Sequence, residues 1–294
     1  MQTIYVPTLN DTPSDYIKLF KIWQQVWLSP SGAAFDFSRC HFLRPNAVAF
    51  LGGLARHAQH AGKPISFLWD SLQPAIFANL CQNGFAQAFG YGQPPWDGHS
   101  IPYREDKHDR MSDPVPILDY LTDQWIRKEW LNISEMLRDA IACRVWEIYT
   151  NSLEHAGSPT GVFSCGQHFK NGNELVLSVV DFGAGIPSKV RGFLRTDPRS
   201  QTLQASACME WAFKRGNSTT VGVPRGLGLD LLREFVRLNN GSLEVYSEDG
   251  YAVIKRDNES YHTLPSGFSG TAVQIKLICD TRSYRFANEP APQN

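Results

Sequence analysis

The sequence lacks any apolar run long enough to cross a bilayer, and it lacks an excess of either charge. A membrane-spanning helix needs about 18 to 20 apolar residues in succession, and no stretch of the 294 residues reaches that length. The net charge at pH 7 is −1, so no global field attracts the chain to nucleic acid or to an anionic membrane. We therefore expect neither nucleic acid nor a membrane among its partners.

Closely spaced cysteines are also missing. The six cysteines are scattered without a CxxC pair, and in a chain of this length that usage is typical of reduced thiols in a cytoplasm. The first residues lack the basic region and apolar stretch of a secretion signal. We therefore expect a cytoplasmic protein, and its hydrophobic content of 42% is sufficient for a packed core.

In the N-terminal part of the chain, stretches with helical spacing of apolar residues alternate with short apolar runs. The predicted helices cover 14–28, 45–61 and 74–89, and the predicted strands cover 4–9, 33–38 and 65–69. Strands that alternate with helices at this spacing indicate a small α/β domain. We place this domain at residues 1–90 and call it the N-terminal half.

Within this half, residues 30–90 resemble a STAS domain, the fold of bacterial anti-sigma-factor antagonists. The resemblance rests on FDFS at 35–38 and on FLRPN at 42–46. STAS phospho-switches carry a serine or threonine at the start of the next helix, where a phosphate sits on the helix dipole. Pro45 and Asn46 occupy that place and cannot accept phosphate, so we expect a docking or scaffolding unit. An unrelated α/β domain is the alternative.

Two further segments carry weaker patterns. Residues 91–114 are dense in Gly, Pro and charge, and we expect a linker or an ordered surface loop. Residues 281–294 carry Pro, Asn and charge, and we expect a flexible tail. His57 and His60 lie three apart on a predicted helix without a third ligand nearby, which favours a solvated helix face over a metal site.

Four short motifs follow in order within residues 115–280, which we call the C-terminal half. They read EIYTNSLEH at 147–155, DFGAGIP at 181–187, RGLGL at 225–229 and GT at 270–271. The first lies on a predicted helix that starts near Asn132, the second directly follows a predicted strand, the third begins a helix and the fourth begins the last strand. Each motif alone is weak, whereas the ordered set is specific.

In this order the motifs resemble the nucleotide-binding boxes of the GHKL superfamily, which includes gyrase-type topoisomerases, the large heat-shock chaperone, mismatch-repair ATPases and histidine kinases. The resemblance covers about residues 132–279. It implies an α/β sandwich with helices on one face of a mixed sheet, and it implies ATP and Mg²⁺ as ligands. We therefore expect an α/β protein of two domains, with a small STAS-like domain followed by the GHKL sandwich.

The residue chemistry agrees with these ligands. Glu147 and Asn151 lie one helical turn apart on one face. The amide oxygen of Asn151 suits Mg²⁺, and the carboxylate of Glu147 can accept a proton from a water aimed at the γ-phosphate. At a strand end, the carboxylate of Asp181 can accept the adenine amino proton and so select adenine over guanine. The family pattern implies that Thr271 shares this contact.

One predicted site follows. Glu147 is the candidate catalytic base and Asn151 the candidate metal ligand, and residues 188–225, rich in cations and small hydroxyls, are expected to close over the phosphates as a lid. No single lid cation can be chosen for the γ-phosphate. The expected nucleotide-binding residues are Asn151, Asp181, Gly183, Gly185, Ile186, Lys214, Ser218, Thr219, Arg225, Gly226, Leu227, Gly228, Leu229 and Thr271.

We interpret the chain as a cytoplasmic regulatory protein whose GHKL domain binds ATP and Mg²⁺ and switches conformation or partner contacts, with slow ATP hydrolysis. ATPase activity is favoured over protein kinase activity, because no helical hairpin with a phosphoacceptor histidine precedes the ATP module. Two alternatives stay open: a serine or histidine kinase that acts on a separate protein, as anti-sigma-factor kinases do, and a nucleotide-gated scaffold without hydrolysis. Another protein is the expected partner, and a homodimer is implied because such relatives dimerise when the lid closes.

Overall fold

The computed structural model describes residues 1–108, 113–127, 129–219 and 228–289 of a mixed α/β protein. The N-terminal half alternates strands and helices as predicted. Its elements are β1 (Gln2–Tyr5), α1 (Pro13–Leu28), β2 (Ala33–Asp36), α2 (Pro45–His60), β3 (Ile65–Leu68), α3 (Pro74–Gln82) and α4 (Phe85–Ala88). The strands form a parallel sheet in the order β1-β2-β3, and the register places Ile4, Phe35 and Phe67 side by side on its buried face.

The C-terminal half is built on a second sheet of five antiparallel strands. The preceding segment adds β4 (Ser100–Asp106), and the elements of this half are α5 (Val115–Asp119), α6 (Glu135–Thr150), β5 (Val162–Phe169), β6 (Glu174–Asp181), α7 (Ile186–Phe193), α8 (Ala205–Phe213), α9 (Gly228–Leu238), β7 (Ser242–Lys255) and β8 (Asn258–Ile278). The strand order is β4-β5-β6-β8-β7. A short turn at residues 170–173 joins β5 to β6, which pair along their full length.

Two strands of this sheet differ from the sequence prediction. β4 lies inside the segment that we expected to be a linker or a surface loop, and it pairs with β5 because Ile101 and Tyr103 are buried there. β8 begins at Asn258 instead of Thr271. Residues 248–250 form a bulge inside β7, where Glu248 has a φ of 52°, and β7 and β8 continue as a long hairpin beyond it.

Helices cover both faces of the five-stranded sheet. On one face, α6 and α9 share an apolar cluster with the inward residues of β5 to β8. On the other face, α1 and α2 share a second cluster with Phe163, Val180, Phe182 and Phe268 of the sheet. Twelve of the sixteen residues of α2 are buried, because this helix lies between the two sheets. The two halves therefore share this second cluster, whereas the resemblance implied helices on one face only.

Polar contacts also join the halves. Arg44 donates to Asp11 at 2.8 Å and to Glu174 at 3.0 Å, and Lys276 completes the ring with the same two carboxylates at 3.3 Å and 3.2 Å. Four charges of alternating sign thus link the segment before α1, the start of α2, and strands β6 and β8. Because these side chains are largely withdrawn from water, screening by solvent is reduced at this seam.

The chain after β8 packs against the segment before α6 and against α9. Tyr284 is 9% exposed, its backbone pairs with Ile133, and its ring meets Phe235 at 5.4 Å. The start of the expected flexible tail is therefore held in place, and residues 290–294 lie outside the described part. Among the residues that the structure describes, no helix is long and apolar enough to cross a membrane.

Candidate nucleotide-binding site

Helix α6 carries the first predicted pair of site residues. It begins at Glu135, three residues after Asn132, near which its start was predicted, and Ser134 caps it by accepting the backbone N–H of Leu137 at 3.2 Å. After Thr150 the chain continues for a further turn through Asn151 with wider, π-type hydrogen bonding. Glu147 and Asn151 both face the same cavity. The side chain of Glu147 is 39% exposed and accepts a hydrogen bond from Arg144 at 2.6 Å.

Strand β6 delivers the second predicted residue, Asp181, to the floor of this cavity. Its carboxylate is 1% exposed, accepts from the hydroxyl of Ser152 at 2.8 Å and accepts from the backbone N–H of Gly183 at 3.0 Å. Burial raises the pKa of Asp181 to about 6, although these hydrogen bonds oppose the rise. The fold therefore keeps this carboxylate at the floor of the cavity although its removal from water disfavours the ionised form.

The glycines that follow Asp181 allow close backbone packing. A side chain on Gly183 would collide with the carbonyl of Ala156, and one on Gly185 would lie 2.6 Å from Glu248. The N–H of Ala184 donates to the same Ala156 carbonyl at 2.6 Å. The loop is therefore fixed against the end of the α6 segment, and both glycines support the cavity from behind.

Thr271 lies directly opposite Asp181 in the pairing of β6 with β8. Its hydroxyl is 2.9 Å from that of Ser247 on β7, and Ser247 in turn accepts the backbone N–H of Ile186 at 2.8 Å. Ser247 therefore ties two predicted site residues together. Neither serine was predicted. Ser247 lies outside all four motifs, and Ser152 lies within the first motif but carries no role in its pattern.

These residues enclose a cavity of about 500 Å³, within the size range of about 300–1,000 Å³ that is usual for small-molecule sites. The predicted residues that line it are Glu147, Asn151, Asp181, Ile186, Ser218, Thr219, Leu229 and Thr271. An apolar wall is added by Ile148, Val190, Trp211, Val245 and Val273. A ligand with flat apolar faces and a polar edge, such as a nucleobase, fits a cavity with this lining.

A sequence model of the family described as histidine kinase-, DNA gyrase B- and HSP90-like ATPase matches residues 138–277. That range contains Glu147, Asn151, Asp181 and Thr271, which the fold brings around one cavity. A GHKL ATPase domain is present. GHKL domains bind ATP, so its presence supports ATP binding by this chain. No curated protein matches the chain.

Three predicted contacts of the GHKL domain, Arg225, Gly226 and Leu227, lie outside the described residues, and Gly228 is the first residue of α9. Lys214 borders a separate cleft beside Arg233 and Glu259. The other predicted residues border the cavity or support it, as described above.

The first part of the expected lid is folded into helices and is not a loop over the cavity. Residues 188–213 are mostly helical, as α7 and α8, and Cys208 and Met209 of α8 are fully buried against β7 and β8. Three of its cations are already engaged: Lys189 donates to the carbonyl of His155, Arg191 donates to the carbonyl of Leu203, and Arg199 pairs with Asp197. After α8, the expected lid continues from Lys214.

The donors around Asn151 fit a magnesium ion that is shared with a nucleotide. Mg²⁺ is usually held by one or two protein oxygens together with substrate phosphates and water. Asn151 supplies an exposed amide oxygen at the cavity wall, and the described residues contain no cluster of three or more acidic, histidine or cysteine ligands. This donor set suits Mg²⁺ that arrives with ATP and does not suit an all-protein metal cage.

Proposed function

We propose that this chain is a cytoplasmic regulatory protein whose GHKL domain binds ATP with Mg²⁺ and alters the packing or the partner contacts of the N-terminal half, with slow ATP hydrolysis. The observation that carries the proposal is the position of Phe182. It directly follows Asp181, and successive side chains of a strand face opposite sides of the sheet. Asp181 faces the cavity, and Phe182 faces α2.

Phe182 is 2% exposed and packs tightly against α2. Its ring stacks on His57 at 5.4 Å and meets Phe50 edge-on at 5.3 Å. A Cβ added to Gly53 would lie 2.6 Å from the rings of both Phe163 and Phe182. His57 thus belongs to this contact and not to the solvated helix face that we expected. With so little free space, a shift of the strand end on nucleotide binding displaces α2 as well.

At the site itself, the carboxylate of Asp181 would accept a hydrogen bond from the adenine amino group with Thr271 beside it, and Asn151 would supply an oxygen ligand to Mg²⁺. In the hydrolytic step, the oxygen of a water bonds to the γ-phosphorus while the bond to the β,γ-bridging oxygen breaks. Glu147 takes the proton of that water, and ADP and phosphate leave. The half-exposed Glu147 is also accessible to a protein hydroxyl, which is the observation in favour of the second candidate, a kinase that acts on a separate protein.

We propose that the N-terminal half is a STAS-like docking unit without a phosphorylation switch. The amide of Asn46, near the start of α2, is 1% exposed and donates to the carbonyl of Asn10 at 3.0 Å. Together with Pro45, this residue fills the position where phospho-switches carry their acceptor. Control of this half therefore comes from the ATP site through Phe182, and no phosphate on α2 is needed.

The test is calorimetric titration with ATP and Mg²⁺, followed on the same sample by phosphate release and by amide hydrogen exchange of α2. Binding with slow release and altered exchange in α2 is the expected result. Binding with neither release nor altered exchange in α2 would support the scaffold, and transfer of labelled phosphate to a partner would support the kinase. Absence of binding would refute the proposal.

A further inference from the structure

Arg144, which lies outside all four motifs, borders the same cavity as Glu147 and Asn151. Its Nη1 donates to Oε1 of Glu147 at 2.6 Å, and the two side chains are 41% and 39% exposed. Residues three and seven apart on a helix share one face. Arg144, Glu147 and Asn151 therefore form a row of cation, carboxylate and amide along one side of the cavity.

Among the described residues, Arg144 and Lys189 are the only arginine or lysine side chains that border this cavity. Lys189 lies at the adenine end, where it donates to the backbone carbonyl of His155 and interacts with the charge of Asp181. Arg144 lies at the opposite end. It precedes Ser152, the partner of Asp181, by eight residues, which is about 12 Å along a helix.

We propose that Arg144 contacts the γ-phosphate and is the residue by which this site distinguishes ATP from ADP. The inference rests on the proposed binding of ATP. A nucleotide whose base is held by Asp181 extends its phosphates past Asn151 toward Glu147, and the terminal phosphate then comes within reach of the guanidinium that Glu147 contacts.

A change of partner by Arg144 from the Glu147 carboxylate to a γ-phosphate is energetically favourable. A half-exposed ion pair such as Arg144–Glu147 is weak, whereas guanidinium and phosphate form short, charge-assisted and often bidentate hydrogen bonds. Arg144 therefore leaves Glu147 when a γ-phosphate is present. The same movement frees the carboxylate to accept a proton from water, so that the base becomes available only when ATP fills the site.

The experiment compares ATP and ADP affinities, both with Mg²⁺, for the full chain and for Arg144→Ala and Arg144→Lys. We expect the wild type to prefer ATP, and Arg144→Ala to lose about 10-fold in ATP affinity with ADP affinity unchanged. Arg144→Lys should retain part of the preference. Arg138→Ala is the matched control, because Arg138 lies on the same helix, pairs with Asp139 and does not border the cavity.

The role of Arg144 would be overturned if Arg144→Ala left the ratio of ATP to ADP affinity unchanged, or if the wild type showed no preference for ATP. Either result would leave ATP binding itself in place. A wild type that binds neither nucleotide would overturn the proposed function and this inference together. The affinities are compared only for variants whose thermal unfolding temperature without nucleotide equals that of the wild type. We expect this for Arg144→Ala and Arg144→Lys, because Arg144 is half exposed.

Discussion

Asp181→Asn should stabilise the nucleotide-free protein while it removes most ATP binding. The carboxylate of Asp181 is 1% exposed, and burial raises its pKa from 3.8 to about 6. In the unfolded chain the group ionises near its ordinary value, so the folded state holds its proton over a range of pH where the unfolded state has lost it. Folding is therefore penalised increasingly as the pH rises from about 4 to about 6, and the penalty is constant above that.

The size of this penalty follows from the two pKa values. The difference between 3.8 and about 6 corresponds to about 3 kcal/mol. An amide can keep both contacts, because its oxygen can accept from Gly183 and its nitrogen can donate to the hydroxyl of Ser152, which rotates freely. We expect Asp181→Asn to raise the free energy of unfolding by about 1–3 kcal/mol at pH 7, and to have little effect near pH 4.

The assay is urea unfolding of both proteins between pH 4 and pH 7 without nucleotide. Asp106→Asn is the matched control: Asp106 is equally buried but forms a two-point ion pair with Arg104 at 2.6 Å and 2.7 Å, so its substitution should destabilise the protein at pH 7. The reasoning about Asp181 is refuted if Asp181→Asn is destabilising at pH 7, or if its effect is the same at pH 4 and pH 7. Near-normal ATP affinity by calorimetry would separately remove the adenine contact.

Three further substitutions test other parts of the site. Asn151→Ala should make nucleotide affinity insensitive to Mg²⁺; a wild-type response to the ion in calorimetry would place the metal elsewhere. Glu147→Gln should bind ATP within about twofold of wild type and lose phosphate release, and unchanged release would exclude Glu147 as the base. Gly53→Val should lower the free energy of unfolding by about 1–3 kcal/mol through overpacking against Phe182 and should weaken ATP binding, whereas wild-type ATP affinity at full folding would contradict the coupling through α2.

The centre of the site could be predicted because its residues sit in motifs tied to strand and helix ends. Asp181 and Thr271 are ninety residues apart in sequence, yet the family resemblance of their motifs assigned both to one site, and the register of β6 with β8 makes them direct neighbours. Ser152 and Ser247 could not be predicted in this way. Their roles depend on which carboxylate or backbone N–H the tertiary fold brings within about 3 Å, and this is not encoded in local spacing.

The packing of α1 and α2 on the second face of the sheet could not be predicted from the sequence either. Helical spacing of apolar residues shows that α1 and α2 bury a face but does not show which surface they bury it against. One signal was present: Gly52 and Gly53 lie within α2, and glycine within a helix often marks a close approach. A side chain at Gly52 would meet the ring of Tyr103, and one at Gly53 would meet Phe163 and Phe182.

The proposed regulation depends on the packing of α2 against the sheet face opposite the cavity. Along β6, Val179 and Asp181 face the cavity side, whereas Val180 and Phe182 face α2, so the ATP site and the N-terminal half are separated by one strand. Coupling between two sites is reciprocal. If ATP loosens or tightens the contact of Phe182 with α2, then a protein that docks on the N-terminal half and shifts α2 must change ATP affinity by the same factor. A partner whose own affinity changes tenfold with ATP should therefore change the affinity for ATP tenfold in calorimetry, and a partner that responds to ATP without this return effect would have to act through another route.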